Sequence, residues 1–159
     1  MDGFGKSKKQ IIIGSVASHL LAGVTGFAGL LAWFKLRTVQ SVLVVVGDVT
    51  PWAWRFIDMS SFMIFGLIWL IVVLYSQHYY QKGYEKGRLT RNFSLITGIV
   101  FAVLALSTTS IMIALPVEQT RGNALTLAFE AALAVVLLAV HIWLRRKDNK
   151  KAAEKQTGE

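Results

Sequence analysis

The stretch MSSFMIFGLIWLIVVLYSQHY, residues 59–79, contains no Asp, Glu, Lys or Arg in 21 positions. An α-helix rises about 1.5 Å per residue, so about 20 mainly apolar residues cross the roughly 30 Å hydrocarbon core of a bilayer. The run is too long for a β-strand, and its polar and apolar residues do not alternate as they do in the strands of a membrane barrel. It therefore predicts a transmembrane helix.

Three further apolar runs of similar length, residues 11–34, 93–115 and 124–144, lie on either side of this one. The first exceeds the apolar region of a signal peptide, roughly 7–15 residues, and has no small-residue cleavage site at its end, so we expect it to be retained. We predict an all-α integral membrane protein with four transmembrane helices in an antiparallel bundle, preceded by an N-terminal segment, residues 1–10. A basic cytoplasmic tail, residues 145–159, is expected to follow.

The composition agrees with this class. Hydrophobic residues make up 54% of the 159 residues and charged residues 16%, against about a quarter in soluble domains. The net charge is +8, and the basic residues flank the apolar runs, so the expected counter-charge is the anionic headgroups of lipids and not nucleic acid. The chain has no cysteine, which excludes disulfides, thiol catalysis and cysteine-ligated metals.

The distribution of Lys and Arg predicts the direction of the spans. With a cytoplasmic N-terminus, 4 of the 17 basic residues lie outside and the other 13 lie in cytoplasmic segments. Cytoplasmic loops carry the excess of positive charge, so we expect both termini inside, in a multi-pass protein of the cytoplasmic (plasma) membrane. Aromatic residues should mark the two interfaces. Those expected outside are Trp33, Trp52 and Trp54, and those expected inside are Tyr75, Tyr79, Tyr80, Tyr84 and Trp143.

The outer connections differ in length. Residues 35–58 read as a long loop, whose apolar part, Val42–Val46, is too short to cross a bilayer and would be strand-like or lie in the interface. Thr50 followed by Pro51 predicts a helix start, because threonine caps helices and proline favours their first position. The second outer connection, residues 116–123, reads as a tight turn, so the third and fourth spans should form a hairpin.

The first span carries a small residue at every fourth position, namely Gly14, Ser18, Ala22 and Gly26. Residues four apart lie on one face of a helix, and small side chains let two helix backbones approach closely in lipid. The pattern predicts a close helix–helix contact. It does not distinguish a contact within the chain from one with a second chain.

One acid interrupts the fourth span. Glu130 has no basic residue within four positions on either side, and a charged side chain at a helix centre costs about 3 kcal/mol of insertion free energy. Helical spacing places Glu130 at nearly the same membrane depth as the hydroxyls of the third span and Thr25 of the first span. Arg121 is close enough along the chain to offset part of the charge of Glu130. We predict an intramembrane polar site made of Glu130, Ser107, Thr108, Thr109, Ser110 and Thr25. It serves either as a proton or cation site or as a hydrogen-bonded helix contact.

Three histidines, His19, His78 and His141, are weak candidates for haem or metal ligands. No carboxylate accompanies them at ligand spacing, so we predict no metal and no cofactor. The sequence contains no G-x-S-x-G, H-E-x-x-H or P-loop motif, and we predict no catalytic residue and no enzymatic activity.

Three functions remain open from the sequence. The first is a small non-enzymatic accessory, assembly or regulatory subunit that contacts another membrane protein or itself. The second is a small proton- or cation-coupled transporter, working as a homo-oligomer with Glu130 as the coupling residue. The third and weakest is a membrane anchor that binds haem or quinone.

Overall fold

A computed structural model describes residues 8–115 and 121–157. These residues form four α-helices with short turns: α1 (Lys8–Val46), α2 (Pro51–Glu85), α3 (Leu89–Ala114) and α4 (Arg121–Thr157). Each helix is long and apolar enough to cross a membrane. The chain is therefore an all-helical, multi-pass membrane protein.

The prediction of a long outer loop over residues 35–58 is wrong. α1 continues through Val42–Val46 as a helix, and only residues 47–50 connect it to α2. No glycine or proline interrupts residues 35–46, and the charge of Arg37 is compensated because its guanidinium bonds the carboxylate of Asp58 at 2.7 Å. The helix ends at Val46 and is followed by Gly47 and by Asp48, which lies in the left-handed region with φ 49°.

The other helices also extend beyond the spans that the sequence predicts. α2 begins at Pro51, as predicted, although the Thr50 hydroxyl makes no capping bond. It ends before Gly87, whose φ of 65° favours glycine. α4 continues through most of the predicted tail to Thr157, and Gly122 of the predicted tight turn lies inside this helix. The rest of that predicted turn, residues 116–120, lies outside the described residues.

Salt bridges hold the extension of α4 against the preceding helix. Asp148 accepts a hydrogen bond from Arg91 of α3 at 2.9 Å and lies 3.9 Å from Arg88. Arg91 also offers its backbone carbonyl to His141 Nδ1 at 3.0 Å. The basic end of α4 is therefore attached to the turn between α2 and α3.

The packing centres on α3. This helix lies along α4 and α1, whereas α2 packs mainly against α1. A small apolar core of Ala28, Ala32, Val100 and Leu104 lies between α1 and α3. A Cβ atom at Gly98 would come within 3.1 Å of Leu138, so α3 and α4 approach closely at this glycine.

The small-residue stripe of α1, Gly14, Ser18, Ala22 and Gly26, is buried within the chain. The ring of Tyr84 of α2 occupies the space that a side chain at Gly14 would need. A Cβ atom at Gly26 would lie 3.3 Å from Val73, and the Gly26 carbonyl accepts a hydrogen bond from the Trp69 indole at 2.9 Å. The two glycines therefore let α2 lie directly against the backbone of α1.

Candidate functional site

Glu130 of α4 lies in a polar cluster that joins three helices. The Lys35 ammonium of α1 forms an ion pair with Glu130 Oε1 and also donates to the Thr108 hydroxyl of α3. Thr108 Oγ1 donates to Glu130 Oε2 at 2.7 Å. The Glu130 side chain is 8% exposed and the Lys35 side chain 28%. We call these three residues the Lys35 cluster.

The Lys35 cluster explains how an acid is tolerated in the apolar run. Removing a charge from water is costly unless an opposite charge and hydrogen bonds replace the lost hydration. Glu130 has the opposite charge at one oxygen and a hydroxyl donor at the other. Arg121, which we expected to offset part of the charge of Glu130, is exposed at the start of α4. The compensating cation is Lys35.

Of the four consecutive hydroxyl residues of α3, Thr108 reaches Glu130, and its Oγ1 also lies 3.1 Å from the Leu104 carbonyl of its own helix. Ser107, Thr109 and Ser110 each donate to the carbonyl four residues earlier in their own helix, at 2.8–2.9 Å. Successive residues of a helix point about 100° apart, so one hydroxyl of such a run meets a given neighbouring helix. The pair of Thr108 and Glu130 is the part of the predicted polar site that the structure brings together.

Thr25 belongs to a different cluster. Its Oγ1 lies 2.8 Å from Tyr80 Oη of α2, 3.0 Å from Thr97 Oγ1 of α3 and 3.0 Å from the Leu21 carbonyl. Thr25 precedes Lys35 by ten residues, about 15 Å along α1, which is why it cannot reach Glu130. Its placement in the Glu130 site was wrong.

Tyr80, which we predicted among the aromatic residues of the inner interface, is fully buried inside the bundle. A consistent arrangement has Thr25 donating to Leu21 and accepting from both Tyr80 and Thr97, which satisfies all three hydroxyls. We call these three residues the Tyr80 cluster. It fixes the relative positions of α1, α2 and α3.

Replacing Tyr80 by Phe should lower the free energy of unfolding by about 0.5–1.5 kcal/mol, because it removes one net hydrogen bond and leaves Thr25 with its other partners. Equilibrium unfolding in detergent, followed by circular dichroism, measures the change. Tyr75→Phe is the control, since the Tyr75 side chain is 60% exposed. Equal effects of the two substitutions would contradict the assigned role of the Tyr80 hydroxyl.

Sequence reasoning missed Lys35 because it assigned this residue to a loop. The available signal was the run from residue 35 to 46, which lacks glycine and proline and so permits the helix to continue. A lysine inside a long apolar helix requires a partner, and Glu130 is the acid of the apolar runs. Their pairing could therefore have been considered once the helix was extended.

The histidines lie apart. His19 bonds the Ser15 carbonyl at 2.6 Å and Gln77 at 2.9 Å, His141 bonds the Arg91 carbonyl, and His78 is exposed. Among the residues that the structure describes, no group of three or more His, Asp or Glu side chains could hold a metal ion.

Comparisons with models of protein families, with curated proteins and with solved structures return no match. Fold and site together define the chain as a multi-pass helical membrane protein in which a buried charged cluster links α1, α3 and α4.

Proposed function

We propose that this chain is a small non-enzymatic integral membrane protein, an accessory, assembly or regulatory subunit that acts through helix–helix contacts. The observation that carries the proposal is the hydrogen bonding of the Glu130 carboxylate. Both of its carboxylate oxygens are engaged by donors of the same chain, Lys35 and Thr108. An acid with both oxygens occupied stabilises a bundle, whereas a coupling acid must be free to exchange its ligand.

The surface of α2 supports a role in contacts. All of its residues are described, and in its most apolar 18-residue window none is buried. Large side chains such as Met63, Leu67, Ile71 and Leu74 are about half exposed or more. This helix is held mainly by α1, which leaves the rest of its apolar surface for lipid, another membrane protein or a second copy of the chain.

Affinity purification from native membranes in mild detergent, with measurement of the mass of the complex, tests this function. We expect a stoichiometric partner or a homo-oligomer, and we expect Leu67→Trp on α2 to weaken it. Leu106→Trp on α3 is the matched control, because Leu67 is 60% and Leu106 67% exposed. A monomer, or equal effects of both substitutions, would contradict contacts through α2. A Soret absorption band in the purified protein would support the haem-anchor hypothesis instead.

The proposal includes the orientation with both termini in the cytoplasm, an antiparallel order of spans and anionic lipid at the basic ends. We expect Thr50→Cys to react with a membrane-impermeant thiol reagent in intact cells, and Lys86→Cys to react only after permeabilisation. Both residues are exposed in the turns at opposite ends of α2. The chain has no cysteine of its own, so labelling has no background. The reverse pattern would invert the topology.

A second candidate function is a proton- or cation-coupled transporter that works as a homo-oligomer. This function is favoured by the position of Lys35, which lies on a different helix from Glu130 and is partly exposed. A shift of α1 would then withdraw the ammonium and leave the acid free. Four helices rarely enclose a pathway, so this function requires self-association.

Glu130→Gln separates the two functions, because glutamine keeps the shape of the side chain but cannot exchange a proton. Ion flux into proteoliposomes is the measurement. If Glu130 couples transport, both Glu130→Gln and Glu130→Leu should abolish flux while the protein remains folded. If Glu130 only joins helices, we expect no flux that depends on this residue. Thr109→Val, whose hydroxyl bonds its own helix, is the control.

A further inference from the structure

An apolar cavity of about 240 Å³ lies between α1, α2 and α3. It is lined by Ala32 and Trp33 of α1, Phe65 and Trp69 of α2, and Val100 and Val103 of α3. It lies beside the apolar core and is separate from the Lys35 and Tyr80 clusters. Its volume is slightly below the roughly 300–1,000 Å³ of common ligand pockets, so it suits a ring or a short chain more than a large molecule.

Aromatic rings form one side of this cavity. The rings of Trp33 and Trp69 are stacked, with centroids 6.2 Å apart and planes 23° apart. The ring centroids of Trp33 and Phe62 are also 5.2 Å apart. Flat aromatic surfaces favour planar ligands, because stacked rings gain more than the area they bury.

The indole N–H of Trp33 has no acceptor in the part of the chain that the structure describes. It is buried, and within the described residues no hydrogen-bond partner reaches it, whereas the Trp69 indole donates to the Gly26 carbonyl. A buried donor without an acceptor is costly, and tryptophan normally finds one when it is buried. Trp33 lines the cavity, so a ligand there that carries an oxygen acceptor is the partner that we expect for this donor.

We propose that this cavity binds a planar, lipid-soluble carbonyl compound of the quinone class, with Trp33 donating to a carbonyl oxygen. The apolar walls select a ligand that partitions into the bilayer, the stacked indoles select a flat ring, and the free N–H selects a carbonyl. This site is independent of the helix-contact function. The other occupant that its chemistry admits is a lipid acyl chain, which has no carbonyl at its end and would leave the N–H unsatisfied.

Calorimetric titration of the purified chain in detergent tests the site with two probes of nearly equal shape. Menadione is a naphthoquinone, and 2-methylnaphthalene has the same ring system without carbonyl oxygens. We expect saturable binding of menadione and clearly weaker binding of 2-methylnaphthalene. The chain has no thiol with which the quinone could react. A detergent-only titration corrects for partition into micelles.

Two substitutions then locate the site. Trp33→Phe keeps a ring but removes the donor, and it should raise the Kd for menadione about three- to tenfold, as expected for one hydrogen bond. Val72 of α2 also lines the cavity, so Val72→Phe should abolish binding by filling it, provided that circular dichroism shows an intact fold. If this variant does not fold, Trp33→Phe decides. Trp52→Phe should have no effect, because Trp52 is 84% exposed outside the cavity.

Three results would overturn the proposal. They are the absence of saturable binding of menadione, a Kd that Trp33→Phe and Trp52→Phe leave equally unchanged, and binding of 2-methylnaphthalene as tight as that of menadione. The last result would identify the cavity as a general apolar void that holds lipid chains.

Discussion

Replacing Lys35 by Met should lower the free energy of unfolding by about 3–5 kcal/mol, because the substitution leaves the carboxylate of Glu130 buried without its cation. Methionine retains most of the apolar stem, so the loss reports the charge rather than packing. Equilibrium unfolding in mixed micelles, followed by circular dichroism, gives the value. We expect the effect to be the largest of any single substitution in the bundle.

The ion pair between Arg37 and Asp58 supplies the control for Lys35→Met. Its side chains are 33% and 39% exposed, and exposed pairs contribute at most about 1 kcal/mol. Arg37→Met should therefore have a small effect. The double variant Lys35→Met, Glu130→Leu should recover much of the loss, since removing both charges eliminates the buried unpaired one. If Lys35→Met were as mild as Arg37→Met, the Lys35 cluster would not stabilise the bundle.

Glu130→Gln should be milder than Lys35→Met. Glutamine can still accept a hydrogen bond from Thr108, and the partly exposed Lys35 can turn its ammonium toward water. The asymmetry follows from exposure, because Glu130 is the more deeply buried of the two charges.

The second large effect should come from Gly26→Leu, which we expect to cost about 1–3 kcal/mol by forcing α2 away from α1. A Cβ atom alone at this position would already lie 3.3 Å from Val73, and the Gly26 carbonyl accepts from Trp69. The rest of a leucine side chain has no space there. The same unfolding measurement applies.

Gly23→Leu is a matched control in the same helix. A Cβ atom at Gly23 meets nothing within 4 Å, and the substitution should even gain up to about 1 kcal/mol of helix propensity. Both variants share this propensity gain, so their difference isolates the packing at Gly26. Leu30→Ala should also cost less than Gly26→Leu. Similar stabilities of the two leucine variants would show that the stripe is not a tight contact.

The membrane class and the number of helices could be predicted from the sequence because hydrophobic length is a local property. About 20 apolar residues in a row predict a span wherever the neighbouring helices lie. The start of α2 at Pro51 was also local, since a threonine and a proline define it. The stripe of small residues from Gly14 to Gly26 could also be recognised locally, although the helix that packs against it could not.

The helix ends and the clusters were decided by tertiary structure. A charged residue such as Lys35 marks the end of an apolar run until its partner is known, and that partner, Glu130, lies 95 residues away in the sequence. Which hydroxyl of α3 meets Glu130, and whether Thr25 joins it or Tyr80, depends on the rotation and axial offset of whole helices. Those two quantities are set by packing between distant segments, at Gly26 and Val73 or Gly98 and Leu138 for example, and no single segment contains them.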